Sequence, residues 1–104
     1  MRNIPFVNDY FYHIYNRGVE KRTTYLEPSD FLHFLKILNY YQYLGPKPSL
    51  AKATTDQIRD LKNNEKIVEI ICYCLMPNHF HLLVKQVKEG GVSEFMRKVA
   101  DGYT

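Results

Sequence analysis

The hydrophobic pattern changes character along the chain. Residues 10–16, Tyr10-Phe11-Tyr12-His13-Ile14-Tyr15-Asn16, are dense in aromatic and β-branched side chains and predict a first strand, ended by Gly18. A polar, basic stretch follows, with Arg17, Glu20, Lys21 and Arg22. Pro28-Ser29-Asp30 then gives a helix start, with Ser29 or Asp30 as the capping residue. Phe31, Phe34, Leu35, Leu38 and Tyr41 recur at helical spacing, and Gly45-Pro46 stops the helix. Residues 45–64 read as a long connection broken by Pro46, Pro48, Ser49 and Asn63-Asn64. Within it a short helix is expected from about Thr55 to Leu61, capped by Thr54 or Thr55.

The second half returns to strand character. Lys66 to Leu75 is a run of Ile, Val, Cys and Tyr that predicts a buried strand. Met76-Pro77-Asn78 favours a tight turn, and His79 to Val87 predicts a partner strand, so the two form a hairpin. Gly90-Gly91 breaks the pattern. Ser93 is the expected cap of a final helix carrying Phe95, Val99 and Tyr103 on one face, with Met96 and Ala100 beside them. Strand, helix, strand, strand, helix is the order of an α+β, ferredoxin-like (RRM-like) antiparallel sheet with helices on one face, short of a final strand. The expectation is one domain over residues 1–104, ending before that strand.

Composition narrows the classes. A hydrophobic fraction of 45% suits a globular domain, and 104 residues bury one modest core. No apolar run is long enough to span a membrane, and the N-terminus lacks the apolar core of a signal peptide, so a cytoplasmic protein is expected. A net charge of +3 permits a polyanionic partner without requiring one.

The candidate chemistry sits in His79-Phe80-His81. On a strand, both histidines point to one face and Phe80, with Leu82 and Val84, to the other. Two imidazoles side by side form a metal-binding pair that needs at least one more ligand. His13 is a candidate neighbour of His81, because strands one and three adjoin in a ferredoxin-like sheet. As a ligand, as a partner behind one, or as a histidine simply packed on the sheet, its role stays open. His33, between Leu32 and Phe34, reads as a surface or boundary residue of the first helix. Cys72 and Cys74 raise the alternative of a structural zinc site with the two histidines. With the turn centred on Pro77, Tyr73 and Leu75 lie beside the histidines and the cysteines face the core as buried free thiols. A register slip of one would bring the cysteines to the histidine face. Arg17, Lys21 and Arg22, together with Lys85 and Lys88, are candidates to grip a phosphate backbone, or else solvated cations.

Cys74-Leu75-Met76-Pro77-Asn78-His79-Phe80-His81-Leu82-Leu83 resembles the signature of single-tyrosine transposases of the His-hydrophobic-His class, which include insertion-sequence and REP-associated types. Tyr12-His13-Ile14-Tyr15-Asn16-Arg17-Gly18 matches the N-terminal motif of that family, and Phe95-Met96-Arg97-Lys98-Val99 fits its helix. The resemblance implies a domain that cuts and rejoins single-stranded or hairpin DNA through a 5′-phosphotyrosine. His79 and His81 would hold a divalent ion, Mg²⁺ or Mn²⁺, and a homodimer would be a familiar assembly. It also implies a nucleophilic tyrosine on a helix well past the histidines. Tyr103 is the only tyrosine here after them and falls before that position, so the nucleophile is expected beyond Thr104 and the 104 residues alone are expected not to cleave. The competing readings are a nucleic-acid-binding module of the same fold without catalysis, and the small zinc-binding structural protein.

Overall fold

The computed structural model describes residues 6–17, 28–45, 48–76 and 79–103, without the side chains of residues 16, 17, 28–30, 102 and 103. Three strands and two long helices dominate: β1 (Phe11–Arg17), α1 (Pro28–Tyr41), the short α2 (Thr55–Arg59), β2 (Val68–Met76), β3 (His79–Gln86) and α3 (Gly91–Tyr103). The sheet is antiparallel in the order β1-β3-β2. This is the α+β, ferredoxin-like arrangement, with the hairpin's second strand at its centre.

The two-residue period of β3 divides the molecule. Leu82, Val84 and Gln86 are buried on one side. There they meet Phe34, Ile37 and Leu38 from α1 and Val92, Phe95 and Val99 from α3, so both long helices cover the same face. Tyr12 and Ile14 of β1 pack against this core from their places opposite Val84 and Leu82. Phe80 joins it near the turn, its ring centroid 5.0 Å from that of Phe34. Burying these rings and branched chains is the main stabilising term.

Several boundaries move for physical reasons. Proline suits the first helical position, and α1 begins at Pro28, so Ser29 and Asp30 fall in its first turn rather than at its cap. α2 begins after Thr54 as expected, closed by a reciprocal capping box with Gln57, and runs on into a 3-10 turn over Asp60–Asn63. α3 begins at Gly91, two residues before Ser93. The free N–H of Val92 is taken by the side chain of Gln86, whose Oε1 accepts it at 3.0 Å. Gln86 Nε2 also donates to Asn8 Oδ1 at 2.9 Å and to the Phe6 carbonyl at 3.3 Å. A fully buried glutamine with both ends satisfied thus ties the N-terminal segment, the end of β3 and the start of α3 together.

The connection after α1 is fastened from above by two tyrosines. Tyr40 Oη donates to the Pro48 carbonyl, and Tyr41 Oη accepts from the Leu50 N–H. Burial, with Tyr41 beside it, raises the Tyr40 phenol above the ordinary tyrosine value. Both states of the protein are then neutral at Tyr40 below about pH 10, and that stability is fully present. As pH rises through about 10 the unfolded phenol ionises first, so stability falls until the raised folded value is passed. Tyr40→Phe should therefore show a shallower alkaline loss of stability than the parent in denaturant titrations at neutral and alkaline pH. An equal loss in both would refute this role.

Gly91 marks the tightest approach of helix to sheet. A Cβ there would run into the Ile67 carbonyl, which already accepts from the N–H groups of Val87 and Lys88. Gly91→Ala should cost about 1–3 kcal/mol, because backbone rather than a pliable side chain must give way. Chemical denaturation would check this, and an unchanged midpoint would show that α3 can lift without penalty.

Candidate functional site

The face of the sheet opposite the helices carries the candidate residues. On β3 it presents His79, His81, Leu83 and Lys85, and their partners on β1 are Arg17, Tyr15, His13 and Phe11. The histidine pair therefore lies where the sequence places it, on the side away from Phe80, Leu82 and Val84. His79 and His81 are half-buried. Their rings stand almost perpendicular, at 87°, with centroids 5.2 Å apart.

His13 does reach His81. His13 Nε2 and His81 Nδ1 are 2.9 Å apart, and the two rings lie nearly parallel at 10°. One nitrogen donates and the other accepts. When His81 Nδ1 carries the hydrogen, the bond leaves His81 Nε2 with its lone pair free, the tautomer a metal ligand needs. His13 and His81 thus meet ring to ring across β1 and β3, a contact that orients both imidazoles.

The structure corrects the expected placement of the cysteines. From Val68 to Ile70, β2 pairs with β3 in a register that would carry Tyr73 and Leu75 to the histidines. A bulge at Ile71 slips it by one. Beyond it Cys74 faces His81, Met76 faces His79 and Cys72 faces Leu83. Met76 and His79 are therefore paired at the end of the two strands, where a turn of three residues centred on Pro77 would leave Met76 unpaired. Both cysteines are free and exposed, not buried in the core. Cys74 Sγ lies 3.8 Å from Met76 Sδ, so a thiol and a thioether border the histidines. Among the described residues no three His, Cys, Asp or Glu side chains already converge on a point where an ion would sit.

The cationic candidates separate. Arg17 ends β1 opposite His79, which puts its backbone at the site; its side chain lies outside the described residues. Lys21 and Arg22 also lie outside them. Lys85 shares the histidine face but stands six residues from His79, about 20 Å along the strand. Its ammonium is 4.0 Å from Asp9, and Glu69 is its neighbour on β2. Lys88 pairs with Glu65 at 2.9 Å. His33 is exposed on α1, as its position between Leu32 and Phe34 suggests. Tyr103 closes α3, and its side chain lies outside the described residues.

One neighbour of the site escaped the sequence reasoning. Tyr15 is directly opposite His81 and 68% exposed. Its ring centroid lies 5.1 Å from His13 and 6.1 Å from His81, at interplanar angles of 29° and 25°. The signal was available: Tyr15 and His13 are two apart on one strand, so any register that brings one to the histidine face brings the other.

Comparison with protein families matches the chain to the family described as "Transposase IS200 like" over residues 31–104. That span includes the histidine pair and α3 but not β1. Neither curated proteins nor solved structures give a match. Among the described residues no helix is long and apolar enough to cross a membrane.

His13→Phe keeps a flat ring and removes the nitrogen that meets His81. It should redistribute the His81 tautomers, visible as moved imidazole resonances in nitrogen NMR. Unmoved resonances would show that the contact does not hold the ring.

Proposed function

The chain belongs to the IS200-like transposase family, and from that footing we propose that its open sheet face cuts and rejoins single-stranded DNA with a divalent ion held by His79 and His81. The observation that carries the reading is the pair itself. Two half-buried imidazoles share one face at the start of β3, and His81 is oriented from behind by His13.

The donor set fits an ion that takes two nitrogens from protein and fills its other positions with phosphate and water oxygens. Mn²⁺ accepts that mixture more readily than Mg²⁺, which favours oxygen throughout. When bound, the ion supplies positive charge against the scissile phosphate as negative charge develops there. The protein's own contribution is placement. His79 and His81 are anchored by a strand whose other face is core, and the His13 bond restrains the ring of His81. The backbone of Arg17 pairs with that of His79, and Arg17, Lys21 and Arg22 are the cations assigned to the phosphate backbone. A tyrosine hydroxyl attacks the phosphorus, joins the 5′ phosphate as a phosphotyrosine and releases a 3′ hydroxyl. That hydroxyl, or another, later reverses the step. We assign this tyrosine to sequence following Thr104, with Tyr103 the candidate within the 104 residues.

The register favours a second reading. Cys74 and Cys72 lie on the histidine face, so a structural zinc bound through sulfur and imidazole is the rival. The two readings separate cleanly. His79→Ala/His81→Ala should abolish Mn²⁺ binding in calorimetry and leave the far-ultraviolet dichroism intact, since both residues lie off the core. Cys72→Ala/Cys74→Ala should bind Mn²⁺ like the parent; loss of zinc retention in that variant alone would support the structural-zinc reading. The full-length product incubated with hairpin-bearing single strands and Mg²⁺ or Mn²⁺ should yield a covalent protein–DNA adduct. An intact, folded protein that binds such strands and gives none would leave a binding module without catalysis.

A further inference from the structure

We propose that Tyr15 is a stacking platform for an unpaired base of the bound strand, placing the neighbouring phosphate at the histidine pair. The proposal rests on the single-stranded DNA reading of the site and adds to it a residue that holds the nucleotide.

Tyr15 is the most exposed large hydrophobic side chain among the described residues, at 68%. Its exposure alone carries nothing, since single aromatic side chains are common on surfaces. Its setting carries more. Tyr15, His13 and His81 form a stepped stack, with adjacent rings within 29° of parallel. The stack has one end fixed by the His13–His81 bond. A flat π surface is thereby held before anything binds, and little side-chain freedom is lost when a base settles on it. Ferredoxin-like sheets of the RRM type stack unpaired bases on aromatics of their open face. Here that face is the one opposite α1 and α3.

The position also matches the chemistry. Tyr15 is the direct cross-strand neighbour of His81, so their Cβ atoms are about 4.5–5.5 Å apart. A base on Tyr15 therefore keeps its own phosphate within one nucleotide of the imidazoles. Arg17, two residues on, ends β1 with its backbone paired to His79. Stacking tolerates any base, because every base has a π face. Tyr15 would thus supply affinity and register along the strand, leaving sequence choice to other contacts. Phe11, 53% exposed on the same face, lies about 14 Å further back along β1, where a more distant nucleotide would pass.

The experiment measures binding of a fluorescent single-stranded oligodeoxynucleotide by anisotropy, for the parent chain, Tyr15→Phe and Tyr15→Ala. Tyr15→Ala should weaken binding about 5- to 150-fold, the range for losing one base–aromatic stack. Tyr15→Phe should stay within about twofold, because the ring and not the hydroxyl does the stacking. The slope of log affinity against log salt should be the same in all three, since no phosphate contact changes. An oligonucleotide with abasic sites should bind the parent as weakly as the intact strand binds Tyr15→Ala, and this measurement needs no variant to fold.

Parent-like binding by Tyr15→Ala, or undiminished binding of the abasic strand, would overturn the proposal and leave the metal-dependent reading standing. A loss in Tyr15→Phe equal to that in Tyr15→Ala would overturn it in favour of a role for the hydroxyl. Loss of self-association in Tyr15→Ala by sedimentation, with DNA binding unchanged, would overturn it in favour of a protein partner on this face. Absence of single-strand binding by the parent would remove the proposal together with the reading beneath it.

Discussion

The alternation of β3 is the constraint on which the rest depends. A strand sends successive side chains to opposite faces, and β3 is paired on both edges, so it cannot rotate without breaking two ladders. Leu82, Val84 and Gln86 are committed to the core. His79, His81 and Lys85 are thereby committed to the other side. The site needs no separate device to hold it open. The same burial that stabilises the fold turns the imidazoles away from the helices, and any slip that hid the histidines would drive Leu82 and Val84 into solvent.

The neighbours of β3 do not share that rigidity of register. β1 keeps one register along its length and delivers His13 and Tyr15 to the face as a unit. β2 changes register at Ile71. Its lower half keeps Val68 and Ile70 on the core side, while its upper half places Leu75 against the core and Cys74 and Met76 beside the histidines. The bulge keeps Val68 and Ile70 at one end of the strand and Leu75 at the other on the core side, while pairing Met76 with His79. Its chemical consequence is a border of sulfur along one side of the imidazole pair, facing the aromatic and imidazole stack on the other.

Much of this was legible in the sequence because it depends on period and residue type. The helical spacing of Phe34 and Leu38, the Thr54 cap and the alternation from His79 onward each report a local preference that the fold obeys. The face of His79 and His81 follows from parity alone, and so does the nearness of His13 once the strand order is granted. What parity cannot reveal is a place where it is interrupted. Nothing about Ile71 distinguishes a bulged isoleucine from a paired one, and a single inserted residue exchanges the faces of everything after it. The expectation of buried cysteines failed at that one position. The start of α3 was misplaced for a related reason. Ser93 is a good local cap, but Gln86 reaches the Val92 N–H from another element, and a tertiary cap leaves no mark at the helix start itself.

Gln86 and His81 show how the two faces are coupled. They lie five residues apart on β3, at opposite ends and on opposite sides, and each is the point where a second element is bound to the strand by a side chain. Gln86 secures α3 and the N-terminal segment inside the core. His81 secures His13, and through it the ring of Tyr15, outside it. The inner contact is buried and satisfied at both ends, so loss of the Gln86 side chain would leave the Val92 N–H buried without its partner. The outer contact is exposed and competes with water, so it is weak as a source of stability. Its value is orientation: the backbone beneath it is already fixed by the core, and one hydrogen bond between rings is enough to hold a rotamer and to couple the tautomers of the two rings. A face built this way can leave its imidazoles accessible, because the work of holding them in place is done on the other face of the strand.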